Sequence, residues 1–200
     1  MKALKLAIMI LALGIIGSIA AQAQPCPPGF TDTCQYMPGV YIPEYGYYCN
    51  FDICYCRYFD YVQQRYTGAR IISIRPLGSC TSTSVTPGAV EEIEKRLASE
   101  STPPCDPLSP NPKSYGVLAP LCWYYDADGS YHGCGESTCQ SSYMIECING
   151  VKTTSLYSRA MYGSCDNAQS PTGKQCTDDI SPCHQDDERL SHNPQPDAMR

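Results

Sequence analysis

Charge is scarce in this 200-residue chain. Asp, Glu, Lys and Arg make up 17 % of it, too little for a charge-driven disordered protein. Basic residues are outnumbered 14 to 20, which leaves no footprint for nucleic acid and no attraction to anionic lipid surfaces. Tryptophan is limited to Trp123, and histidine to His132, His184 and His192. There is no Gly-x-Ser-x-Gly elbow, no phosphate loop and no dinucleotide fingerprint. The commonest hydrolase and nucleotide-dependent chemistries therefore have no motif to stand on, and no catalytic residue or cofactor site is nominated. No Cys-x2-Cys pair occurs, which removes the usual spacing of structural zinc. After residue 23 no run is apolar and long enough for a membrane-spanning helix.

What is present starts with an export segment. Lys2 and Lys5 precede an apolar stretch from Leu6 to Ala21, and Ala21-Gln22-Ala23 forms a small-x-small cleavage site. This is the plan of a signal peptide over 1–23. Its removal would take two positive charges from a chain whose formal net charge is already −6. The expected location is secreted or periplasmic.

Export decides how the cysteines read. All fourteen lie after the signal: Cys26, Cys34, Cys49, Cys54, Cys56, Cys80, Cys105, Cys122, Cys134, Cys139, Cys147, Cys165, Cys176 and Cys183. An even number in an oxidising compartment predicts that all are paired. Their spacing repeats. Cys49-x4-Cys54-x25-Cys80 recurs 85 residues later as Cys134-x4-Cys139-x25-Cys165, and Gly78-Ser79-Cys80 matches Gly163-Ser164-Cys165. Tyr58 then matches Tyr143, and Gly88 matches Gly173. With gaps, Cys34 matches Cys122 and Cys26 matches Cys105. The pattern predicts two tandem copies of one small unit. Each copy shares five cysteines with the other and must recruit an unshared one. Cys56 and Cys147 are expected to satisfy one equivalent partner, while the rest of the pairing stays open.

Local signals predict β-hairpins. Asn149-Gly150 suits a type I′ turn between Ser141–Ile148 and Val151–Ser158. In the first copy the matching strands are Tyr55–Val62 and Ile71–Ile74, with a turn near Thr67-Gly68. Earlier hairpins are expected over 124–131 and 40–47. One helix is expected over about 87–99, with Thr86 as cap, Pro87 in the first turn, and Val90, Ile93 and Leu97 on one face. Glu91–Lys95 and Glu92–Arg96 have the spacing and polarity of intrahelical ion pairs, and Glu91 and Glu92 suit the start of the helix dipole. The stretch 172–185 has lost the apolar face, so a disulfide is expected to close the second copy. Residues 101–120 hold six prolines and read as an extended connector.

The predicted fold class is thus small, disulfide-rich and mostly β: two tandem repeats of short hairpins with one connecting helix. The first unit spans 24–102 and ends in the helix. The second spans 103–183 with a proline-rich lead-in, and 184–200 form a disordered tail.

Two sets of residues invite a functional reading. Asp126, Asp128, His132 and Glu136 fall within eleven residues and could hold a metal ion or move protons. The same run is good turn chemistry and too short for an EF-hand loop. Trp123, Tyr124 and Tyr125 form the densest aromatic run, in a chain with sixteen tyrosines and three phenylalanines. Tyrosine suits both thin sheets and binding faces, because its ring packs while its hydroxyl stays wet. The expected function is an exported binding module for an extracytoplasmic protein or glycan. A small secreted hydrolase or metal-dependent enzyme is the alternative, and a structural envelope or coat component a further one.

Overall fold

The computed structural model describes residues 26–28, 30–105 and 112–183. The signal segment and the tail with His184 and His192 lie outside the described residues. Eight strands and one helix follow in chain order: β1 Phe30–Ile42, β2 Tyr47–Asp60, β3 Arg65–Leu77, α1 Pro87–Glu100, β4 Lys113–Pro120, β5 Trp123–Tyr125, β6 Tyr131–Gly133, β7 Thr138–Ile148 and β8 Val151–Tyr162.

All eight strands belong to one sheet, ordered β1-β2-β3-β4-β7-β8. It consists of two antiparallel three-stranded meanders, β1-β2-β3 and β4-β7-β8. They are joined by a short parallel pairing of β3 with β4, from Gly68 opposite Gly116 to Arg70 opposite Leu118. Beyond that point β3 changes neighbour. Ser73 and Ile74 pair antiparallel with His132 and Tyr131 of β6, which forms a hairpin with β5.

Period-two burial explains the layering. β2 buries Cys49, Phe51, Ile53 and Tyr55, β4 buries Tyr115, Val117 and Ala119, and β7 buries Cys139, Ser141, Tyr143 and Ile145. Alternate side chains of a strand share a face, so these rows form one apolar surface. Helix α1 covers it with Ala89, Val90, Ile93, Leu97 and Ala98, touching strands of both meanders. The Thr86 hydroxyl caps the helix by accepting from the Ala89 amide at 3.1 Å.

The small, disulfide-rich, mostly β class and its helix are as expected. The Asn149-Gly150 turn has positive φ at both residues, 53° and 78°. The 40–47 and 124–131 hairpins are present as β1–β2 and β5–β6.

Other local expectations are corrected. The β2–β3 turn lies at 61–64, where the Asp60 carboxylate accepts from the Val62 and Gln63 amides at 2.8 and 3.0 Å. Thr67-Gly68 is inside β3, where Gly68 pairs with Gly116 of the parallel neighbour so closely that a Cβ would lie 3.1 Å from its carbonyl oxygen. Part of the proline-rich connector is strand β4. Neither predicted i,i+4 pair forms. Glu91 reaches Arg159 on β8 at 3.1 Å, and Arg96 donates to the Pro38 and Gly39 carbonyls. No acidic residue of the helix occupies its first turn. The anion there is Glu44 of the β1–β2 turn, which accepts from the Gly88 amide at 2.8 Å and the Thr86 hydroxyl at 2.7 Å.

The disulfides number seven and leave no cysteine free. Cys26–Cys56, Cys34–Cys54 and Cys49–Cys80 lie in the first stretch. Cys105–Cys147, Cys122–Cys165, Cys134–Cys176 and Cys139–Cys183 lie in the second. Cys56 bonds Cys26 and Cys147 bonds Cys105, two cysteines that the gapped spacing comparison sets against each other. The remaining pairs differ between the stretches, since Cys34 bonds Cys54 whereas its counterpart Cys122 bonds Cys165. No bond crosses from 24–102 to 103–183, yet the sheet and its core do.

Candidate ligand-binding cleft

The change of partner along β3 creates a gap. Arg70 is the last residue paired with β4 and Ser73 the first paired with β6, so Ile71 and Ile72 stand at a fork between two strands. A cleft of about 570 Å³ opens there, a size typical of small-ligand sites. Its lining includes Arg70, Ile71 and Ile72 from β3, Tyr124 and His132 from the β5–β6 hairpin, and Gln169 and Ser170 from a later turn. Cys56 and Cys134 also line it, so the Cys26–Cys56 and Cys134–Cys176 bonds fix its walls. Gly133 packs so closely on Pro120 that an added Cβ would lie 2.4 Å from the proline Cγ.

The predicted aromatic run is divided by its strand. Trp123 is buried in the core, and its indole N–H has no hydrogen-bond partner among the described residues. Tyr124 is mostly buried along the cleft and stacks on His132 with ring centroids 5.5 Å apart. Tyr125 is exposed and packs on Tyr131 at 5.0 Å. Elsewhere, exposed tyrosines gather around the β1–β2 turn, where Tyr41 meets Tyr48 and Tyr45 stacks on Tyr47.

The predicted polar set is also divided. Asp126, Asp128 and His132 bring one ligand atom each within 4.8 Å of one another, while Glu136 is not among them. His132 Nε2 lies 3.3 Å from an Asp128 carboxylate oxygen. Asp126 Oδ1 accepts from the Ala127 amide at 2.8 Å and from Lys174 Nζ at 3.3 Å. Those two hydrogen bonds, the backbone one foremost, hold the Asp126 carboxyl below its ordinary range. The Asp128 carboxylate also accepts from the Ser130 amide at 2.9 Å, so the turn uses both acids itself.

Sequence reasoning missed Arg70 and Gln169. Arg70 lies mid-strand with no motif around it, and Gln169 is nearly one hundred residues away. Comparison with known families, curated proteins and solved structures finds no match to this chain.

Proposed function

We propose that the protein is an exported binding module whose ligand enters the cleft at the β3 fork. The reading rests on one observation: a 570 Å³ cleft, walled by two disulfides, that gathers Tyr124, His132, Arg70 and Gln169 from distant parts of the chain. Rigid walls reduce the ordering cost of binding. Seven disulfides fit an oxidising compartment outside the cytosol, and no helix among the described residues is long and apolar enough to cross a membrane.

The division into two units belongs to this proposal. Gly78 and Gly163 support it, because each follows the last strand of its meander with positive φ, 69° and 87°. Other details oppose simple equivalence. Tyr58 stands opposite Gly68, but Tyr143 stands opposite Leu156, three places past the matching position. Gly88 is helical, whereas Gly173 sits in a turn. We read a duplication whose second copy has since diverged and supplied most of the cleft.

Gln169 is exposed at the cleft, so Gln169→Trp is the test. The oxidised protein is screened against saccharide and peptide panels. Ligands bound by the wild type should be lost in the tryptophan variant while its melting temperature is unchanged. Hits that survive the substitution would place binding elsewhere. The metal-dependent alternative draws on the 4.8 Å grouping of Asp126, Asp128 and His132. The Lys174 ammonium already neutralises Asp126, which makes a bound cation the weaker reading.

A further inference from the structure

The cleft has a charge character that the rest of the molecule lacks. The chain is acidic overall, but among the described residues no carboxylate lines the cleft itself, although Asp128 lies 3.3 Å behind His132, and Arg70 is the one permanently charged residue of the lining. The other described arginines are all engaged. Arg57 lies over the Tyr66 ring, Arg65 donates to Gln63, Arg75 pairs with Asp52, Arg96 holds two carbonyls, and Arg159 pairs with Glu91. Arg70 is half-buried and has no hydrogen bond or ion pair among the described residues. A guanidinium in that position retains its full set of donors for a ligand.

Its neighbours separate into committed and uncommitted groups. The Ser137 hydroxyl donates to the Ser164 carbonyl at 2.8 Å, and Ser170 Oγ accepts from the Lys174 amide at 2.9 Å. The Tyr124 hydroxyl and the Gln169 amide have no partner among the described residues. Uncommitted donors and one unpaired cation therefore line the same cleft as a stacked aromatic pair. That combination suits a ligand rich in oxygen acceptors, with one anionic group and C–H groups to pack on the apolar part of the lining. An extended peptide fits poorly. The edge of β3 is already taken at 68–70 and 73–74, which leaves too little strand for β-addition.

Building on the binding cleft proposed above, we infer that its ligand is an acidic saccharide, with Arg70 pairing to the sugar carboxylate. Arg–carboxylate pairs are commonly bidentate, which fixes orientation as well as charge.

The probe is a trigalacturonate, titrated calorimetrically into the oxidised full chain beside its methyl ester and neutral maltotriose. The free acid should bind about ten- to a hundredfold more tightly than the ester, the range expected of a charge-assisted contact. Arg70→Gln should erase that preference, so that acid and ester bind alike, with the melting temperature unchanged. Arg70→Lys should restore part of it. Equal binding of acid and ester, both blocked by Gln169→Trp, would overturn the acidic-sugar inference and leave the cleft standing. Binding of an oligoglutamate in preference to the sugar acid, blocked by the same variant, would do likewise. Ligands indifferent to Gln169→Trp would remove the cleft itself, and this inference with it.

Discussion

Glu94 is a carboxylate-bearing residue wholly removed from water. It sits on α1, wholly buried, with Oε2 accepting from the Tyr143 hydroxyl at 2.9 Å and Arg159 3.6 Å away. Arg159 makes closer contacts with Glu91, and Glu94 Oε1 has no hydrogen-bond partner among the described residues. Burial pushes the Glu94 carboxyl up to about 7, against the pull of Arg159, Ser141 and Tyr143. The folded protein therefore holds this proton where the unfolded chain has released it. The stabilisation from protonated Glu94 is complete below the ordinary carboxylate value of 4.5 and is lost as pH rises through about 7. Glu94→Gln keeps the shape and removes the titration. Its urea midpoint should change less between pH 4.5 and 8 than that of the wild type. An unchanged slope would show that another group carries the dependence.

At the scale of elements, the close approach of β4 to β6 decides whether the cleft keeps its shape. Gly133→Ala would drive a methyl group to 2.4 and 2.8 Å from two carbons of the Pro120 ring. The expected cost is about 1–3 kcal/mol, read as a lowered denaturation midpoint. Elements of this kind were readable from the sequence where the signal was local. Asn149-Gly150 needs only its own backbone to turn, and Thr86-Pro87 starts a helix by itself. Thr67-Gly68 looks like a turn for the same local reason. What places it in a strand is Gly116, forty-eight residues on, which no local pattern reveals. The predicted Glu91–Lys95 pair failed likewise, because buried Arg159 on β8 takes Glu91 at 3.1 Å while Lys95 lies 3.5 Å from Glu92.

For the whole molecule, covalent and non-covalent connectivity disagree. Every disulfide stays within its own stretch, while hydrogen bonds between β3 and β4 and the packing of α1 tie the stretches together. Cleavage after Lys95 or Arg96 falls between Cys80 and Cys105. Tryptic mass mapping of denatured, unreduced protein should therefore give two separable disulfide-bonded families. One family spanning both stretches would refute the pairing. Parity and the export segment made full pairing legible. The cleft was not, because its walls come from residues between 27 and 171 that meet where β3 pairs first with β4 and then with β6.

The partition of the disulfides also sets an order of events. In a chain that emerges N-terminus first, Cys26 to Cys80 are all available before Cys105 appears. The first three bonds can close on a three-stranded meander whose outer β3 edge still lacks β4 and β6. That edge is a template for strand pairing until the second stretch arrives. Oxidation can thus run ahead of assembly, and the interval between them is when the half-made chain is most exposed to pairing with a copy of itself.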